Sequence, residues 1–148
     1  MTIPVPDQHP LTVVLRAVRG RLTAQPEVWG QRVYFELAPP DAVRPLVLYS
    51  VQDAREVNLS RRQDAAILLL IKAVADDLEK ALIGAQRVAA LLNDAGDQDA
   101  NGTALAASGG WRMTTVTQER HVQYSELVDG NRVYHAGGVY RFIMDSNG

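Results

Sequence analysis

The chain contains no cysteine, which excludes a disulfide scaffold and any thiolate metal site and leaves packing alone to hold the fold. Long apolar runs are missing too. The longest, residues 65–71, stops at Lys72, far short of the roughly 18 residues that suggest a membrane span, so a soluble protein with no membrane partner is expected. The opening Met-Thr-Ile-Pro-Val-Pro-Asp has neither a basic start nor an apolar stretch, and no export is expected. An excess of basic charge is also lacking. The 15 Lys and Arg stand against 17 Asp and Glu, for a net charge of -2, which offers no general attraction to a phosphate backbone. Among the basic residues only Lys72 and Lys80 are lysines, a ratio that carries no functional reading.

The motifs of catalysis are absent as well. His9, His121 and His135 form no closely spaced pair, and no acidic cluster stands at helical ligand spacing from any of them, so no metal is expected. His121, with Glu119 and Glu126 nearby, has the makings of a general base, but a lone histidine in a strand-like segment is more often structural or exposed. None of Ser50, Ser60, Ser108, Ser125 and Ser146 lies in a Gly-x-Ser-x-Gly context. The pairs Gly109-Gly110 and Gly137-Gly138 lack the Gly-Lys-Ser/Thr ending and following helix of a phosphate loop, and read as turns. No catalytic residue and no cofactor is expected, and the chain does not read as an enzyme.

What is present suits a single globular domain over residues 1–148, with 47% hydrophobic and 22% charged residues. After Pro10, with Asp7 as a candidate cap, Leu11, Val14, Leu15, Val18 and Leu22 fall on one helical stripe. Gly20 and Pro26 give that helix reasons to stop. Residues 32–37 read as a strand before the breaker Ala-Pro-Pro-Asp at 38–41. Residues 46–51 read as a second strand behind Pro45. Residues 64–74 read as a third, so continuously apolar that it should be central and covered on both faces. Acidic residues at 76, 77 and 79 suit a helix start. Leu78, Ala81, Leu82, Ala85, Val88, Ala89 and Leu92 then form an apolar stripe that should pack onto the third strand. That helix ends near Asn93-Asp-Ala-Gly96.

Between the second and third strands, residues 52–63 are polar and contain no Gly or Pro for a tight turn. They predict a projecting hairpin arm, with Arg55, Glu56, Arg61 and Arg62 as candidate protein-interface residues. Residues 97–110, small and polar with Leu105 as the one large apolar residue, predict a mobile loop. The last third reads as strands at 111–117, 121–127 and 139–144, with a turn at Asp129-Gly130-Asn131 and with 132–135 able to extend one of them. Gly-Gln-Arg-Val-Tyr at 30–34 echoes Gly-Asn-Arg-Val-Tyr at 130–134. The flanks do not match, so this is two turns leading into strands and not a repeat. The sum is an α+β fold: an antiparallel or mixed sheet of about four to six strands with two main helices packed on it.

The order of these elements resembles the phage tail terminator or tail completion family, the small head-tail joining ring subunits of long-tailed phages. The resemblance lies in a helix, then Arg-Val-Tyr leading to Ala38-Pro-Pro-Asp-Ala42, then Arg44-Pro-Leu-Val-Leu-Tyr49. The apolar strand feeding the helix at 76–92, the Trp111 strand after a variable loop, and the closing His135-Ala-Gly-Gly-Val-Tyr-Arg-Phe142 follow in family order. It spans about residues 11–144 and departs from the family in the long 97–110 loop. What it implies is a homo-oligomeric ring, usually sixfold, that stacks on the tail tube protein, stops tube growth and meets the head-tail connector proteins. DNA would pass through the lumen without sequence-specific binding, and the protein would sit in the tail or neck of the virion after assembly in the host cytoplasm. A connector or stopper protein of the same neck region is one alternative. A small cytoplasmic enzyme or ligand-binding α+β domain is another.

Overall fold

The structure, a computed structural model, describes residues 9–24, 29, 32–59, 62–93, 95–96, 105 and 110–146, with the backbone alone at 56–59 and 62–63. Helix α1 (Pro10–Thr23) begins where expected, but its N-cap is His9, whose side chain accepts the Leu11 N–H at 3.1 Å; Asp7 lies outside the described residues. Pro10 occupies the first turn, where the absence of an N–H leaves no hydrogen bond unmade. Pro10, Val13, Val14, Val18 and Leu22 are buried, while Leu11 and Leu15 pack at the margin of the stripe.

Five strands follow: β1 (Val33–Phe35), β2 (Leu46–Leu59), β3 (Arg62–Ala75), β4 (Trp111–Val128) and β5 (Asn131–Ser146), with helix α2 (Leu78–Leu92) between β3 and β4. They form one sheet in the order β1-β2-β3-β5-β4. Only the β1–β2 pairing is parallel. The expected class, a mixed sheet carrying two helices, is therefore what the chain adopts.

The strands outrun their sequence signals. The β2–β3 ladder continues from Leu46↔Val74 to Leu59↔Arg62 with one irregularity between Val51 and Asp53. Backbone pairing does not need apolar side chains, so residues 53–59, 62 and 63 belong to the ladder despite their polarity. Likewise 111–128 is a single strand whose register shifts twice, between Met113 and Thr115 and between Gln118 and Arg120. Such bulges each absorb an extra residue and interrupt the alternation that a strand otherwise shows in sequence.

Both helices cover the same face of the sheet. Alternation along β3 sends Ala65, Ile67, Leu69, Ile71 and Ala73 into the core, where Val14, Val18, Leu22, Val88, Leu92, Tyr140 and Phe142 are also buried. The opposite residues Ala66, Leu68, Leu70 and Lys72 are only half-buried. The expectation that β3 is covered on both faces is thus corrected. Its second face is sealed at one end only, where Leu46, Val74 and Val133 pack with Tyr34, Ala38 and Ala42.

The stripe predicted for α2 also needs correction. The residues it buries are Ala81, Gly84, Val88 and Leu92, whereas Leu78, Leu82 and Ile83 are exposed. The physical reason is close approach. A Cβ placed on Gly84 would lie 2.5 Å from the Ala73 Cβ, so the helix lies close to the sheet at Gly84 and turns Leu78 and Leu82 outward. Asp77 caps α2 by accepting the Lys80 N–H at 2.8 Å.

Candidate assembly surfaces

Of the interface residues read from the sequence, Arg55 is on β2 opposite Ala66, with its side chain 76% exposed and paired to Asp53 at 2.7 Å. Glu56 and Arg62 sit in the same ladder, opposite Ala65 and Leu59. Arg61 lies outside the described residues. Arg55 and Glu56 are therefore successive residues of one strand. Of the 97–110 loop, only Leu105 and Gly110 are described. Leu105 is buried in the main core, and its N–H donates to the Ala95 carbonyl at 2.8 Å.

The other end of the sheet carries a second hairpin that sequence reasoning did not single out. Pairing of β3 with β5 ends at Ala75↔Tyr134, but β4 and β5 stay paired beyond it to Val128↔Asn131. Asp129 and Gly130, with φ of 53° and 82°, make the two-residue turn. Positive φ at both positions is the type I′ geometry, which Asp-Gly favours. Leu127 is 66% exposed here, and Tyr124 and Val128 are exposed as well.

At the base of this hairpin, on the open face of the sheet, four side chains from three strands meet. The His135 ring stacks on Tyr124 with centroids 4.4 Å apart and planes 10° from parallel. His135 Nε2 is 2.8 Å from Glu126 Oε1. A carboxylate only accepts, so this nitrogen carries the proton and donates. His135 Nδ1 is buried with no partner among the described residues. The Lys72 ammonium donates to the Tyr124 hydroxyl and stands 4.9 Å from that ring's centroid. Burial lowers the His135 pKa below 6.5; the Glu126 hydrogen bond works against this shift, and the Lys72 charge adds to it.

Among the described residues, the acids considered beside His121 are engaged elsewhere. Glu126 partners His135, Glu119 pairs with Arg141 at 2.5 Å, and His121 meets Gln118 at 3.3 Å, so neither acid joins His121 as a base pair would require. Tyr140 is the other perturbed group: burial pushes its phenol far up, and its hydroxyl finds no partner among the described residues. No group of three or more His, Asp or Glu suited to a metal occurs among the described residues. A polar cleft of about 460 Å³ lies between the hairpin and the start of α2, lined by Arg44, Asp76, Asn131, Arg132 and Tyr134. The Arg44–Asp76 ion pair, at 2.6 Å, forms part of its lining.

The β4–β5 cluster could have been found from the sequence. A two-residue turn at 129–130 fixes the register, and from it 128 faces 131, 126 faces 133 and 124 faces 135. What was missing was treating Asp-Gly as a register marker as well as a turn.

No protein-family model and no curated protein matches the sequence. In fold, the chain is similar to a chain of a solved structure described as the virion of the native gene transfer agent particle. The TM-score is 0.68 at 18% identity, over 92% of this chain and 97% of that one.

Proposed function

We propose that this protein is a structural virion protein, the subunit of a closed homo-oligomeric ring that caps or completes a phage-type tail tube and meets the head connector. The observation that carries this reading is the fold shared with a virion chain over nearly the whole length of both. The sheet adds support, because β4 is an 18-residue strand at its edge. A long open edge is a surface that must be managed by a partner or by charge.

The ring is sixfold in this reading, stacks on the last tube ring and passes DNA through its lumen without reading sequence. Light scattering on the purified protein, with negative-stain microscopy of the same fractions, tests it. Closed rings that cosediment with tail tubes are expected. A monomer at all concentrations, or a protein that turns over substrate, would overturn it; rings that bind only connector proteins would make it a neck connector. The 52–63 hairpin contributes to docking through Arg55, Glu56, Arg61 and Arg62. Replacing Arg55, Arg61 and Arg62 together by Ser leaves the subunit folded and weakens ring formation or docking, and unchanged assembly would remove the hairpin from the interface.

A further inference from the structure

We infer that His135 and Tyr124 form a proton-sensitive latch: a proton taken up at His135 Nδ1 breaks their stack and frees the end of the β4–β5 hairpin, residues 126–133, while the rest of the sheet stays paired. The latch stands apart from the ring reading and holds for a single copy of the chain. Strand lengths set the hinge. Pairing of β3 with β5 ends at Ala75↔Tyr134, so His135, opposite Val74, lies one residue inside the last pair, and the hairpin from Val133 to its turn has no third strand beside it. Among the described residues, this end is tied to the body through side chains on the open face. Val133 packs with Leu46 and Val74, and Lys72 holds Tyr124. On the other face lies the polar cleft beside Arg44 and Asp76.

The His135 Nε2 already carries a proton toward Glu126, so a second proton can enter only at Nδ1, a buried atom with no acceptor among the described residues. A buried N–H on a charged ring needs a partner, and water supplies one once the ring has left Tyr124. The groups facing the ring set the balance. From β3 come Lys72 and Val74, from β4 the Tyr124 ring and Glu126, and on β5 itself Val133 and Gly137 flank it. Burial, the largest influence, opposes the imidazolium; the Glu126 hydrogen bond favours it, and the Lys72 charge opposes it. Protonation is therefore harder with the stack closed than open, and acid shifts the balance to the open form. Once released, this end is a lone two-stranded ribbon, which is marginally stable in water and frays.

The test is amide exchange of the full chain, expressed as protection relative to unstructured rates. Protection over residues 126–133 should fall by up to about tenfold between about pH 7.5 and about pH 5.5, the most that one imidazole with an ordinary pKa of about 6.5 can supply over that interval. Residues 139–144 should remain better protected at both. Glu126→Gln keeps an acceptor for Nε2 and removes the charge that favours the imidazolium, so its fall should come closer to that limit than wild type's. In His135→Gln the fall should vanish. Protection of 126–133 that does not change with pH would overturn the latch, as would a fall that persists in His135→Gln or shrinks in Glu126→Gln. One common protection level for 126–133 and 139–144 would mean that the whole domain opens together, and would overturn it too.

Discussion

Lys72 and Tyr124 meet across β5 at the level of Gly137, the residue that faces Lys72 in the β3–β5 ladder. The amine belongs to a central strand and the phenol to the edge, so this contact ties the base of the β4–β5 hairpin to the middle of the sheet. It has both a hydrogen bond and an ammonium over a ring.

Removing the ammonium should therefore loosen the hairpin more than removing the hydroxyl. Lys72→Met is expected to cost about 0.5–1 kcal/mol, the usual worth of an exposed cation–π contact, and to speed amide exchange over residues 124–134. Tyr124→Phe keeps the ring and its stack on His135 and should do less. Exchange rates that stay at the wild-type value in Lys72→Met would show that the contact does not restrain the hairpin.

Two glycines should respond to alanine with opposite signs. A Cβ at Gly137 would lie 2.1 Å from the Ile71 carbonyl oxygen and 2.5 Å from the Lys72 Cα, both backbone atoms that cannot swing away. Gly137→Ala is expected to cost about 3 kcal/mol or more, beyond ordinary overpacking. At Gly20, inside α1, nothing stands within 4 Å, and Gly20→Ala should stabilise by about 0.5–1 kcal/mol through helix propensity. Urea denaturation of the two variants decides the matter, and a shared sign would contradict the close approach at β5.

Stability should fall on the acid side of neutrality through His135. Its folded pKa lies below 6.5 because burial disfavours the imidazolium, so the unfolded chain binds a proton that the folded chain refuses. The contribution is complete above pH 6.5 and is lost as the pH drops from there through the folded pKa. Melting temperatures between about pH 5 and pH 8 should decline toward acid in wild type, and less steeply in His135→Gln. Parallel profiles would place the acid sensitivity elsewhere.

The outward turn of α2 gives a direct comparison. Leu92 is fully buried and Leu82 is 44% exposed. Leu92→Ala should cost about 2–5 kcal/mol and Leu82→Ala about 0.5 kcal/mol, read from calorimetry of the folded subunit. Equal losses would mean that the helix presents its leucines to the sheet after all.

That helix also shows where sequence legibility ends. Hydrophobic periodicity located α2 and both its ends, because Asp77 and the leucine-rich pattern are local signals. It set Ala81, Val88 and Leu92 inward, as they are, but added Leu78 and Leu82, which are exposed, and left out Gly84, where the close approach to Ala73 is made. The class, the central place of β3 and the turn at Asp129-Gly130 were legible for the same local reason. The full lengths of β2 and β4 were not, since the polar residues 53–59, 62 and 63 hide a ladder and the two bulges in β4 break its alternation. Arg55 was found as an exposed charge; the meeting of Tyr124, Glu126 and His135 was not, because only pairing register brings them together.

The long strands arise as two local hairpins, β2 with β3 and β4 with β5, joined along the single seam between β3 and β5. Each hairpin joins strands adjacent in sequence and can form early, on the microsecond scale of such elements. The seam joins strands separated by α2 and the whole 97–110 segment, so it is expected to form last. The same arrangement makes that connection tolerant of change. The entropy of closing a connection grows only slowly with its length, so residues added between α2 and β4 should leave both hairpins, and the surfaces they present, where they are.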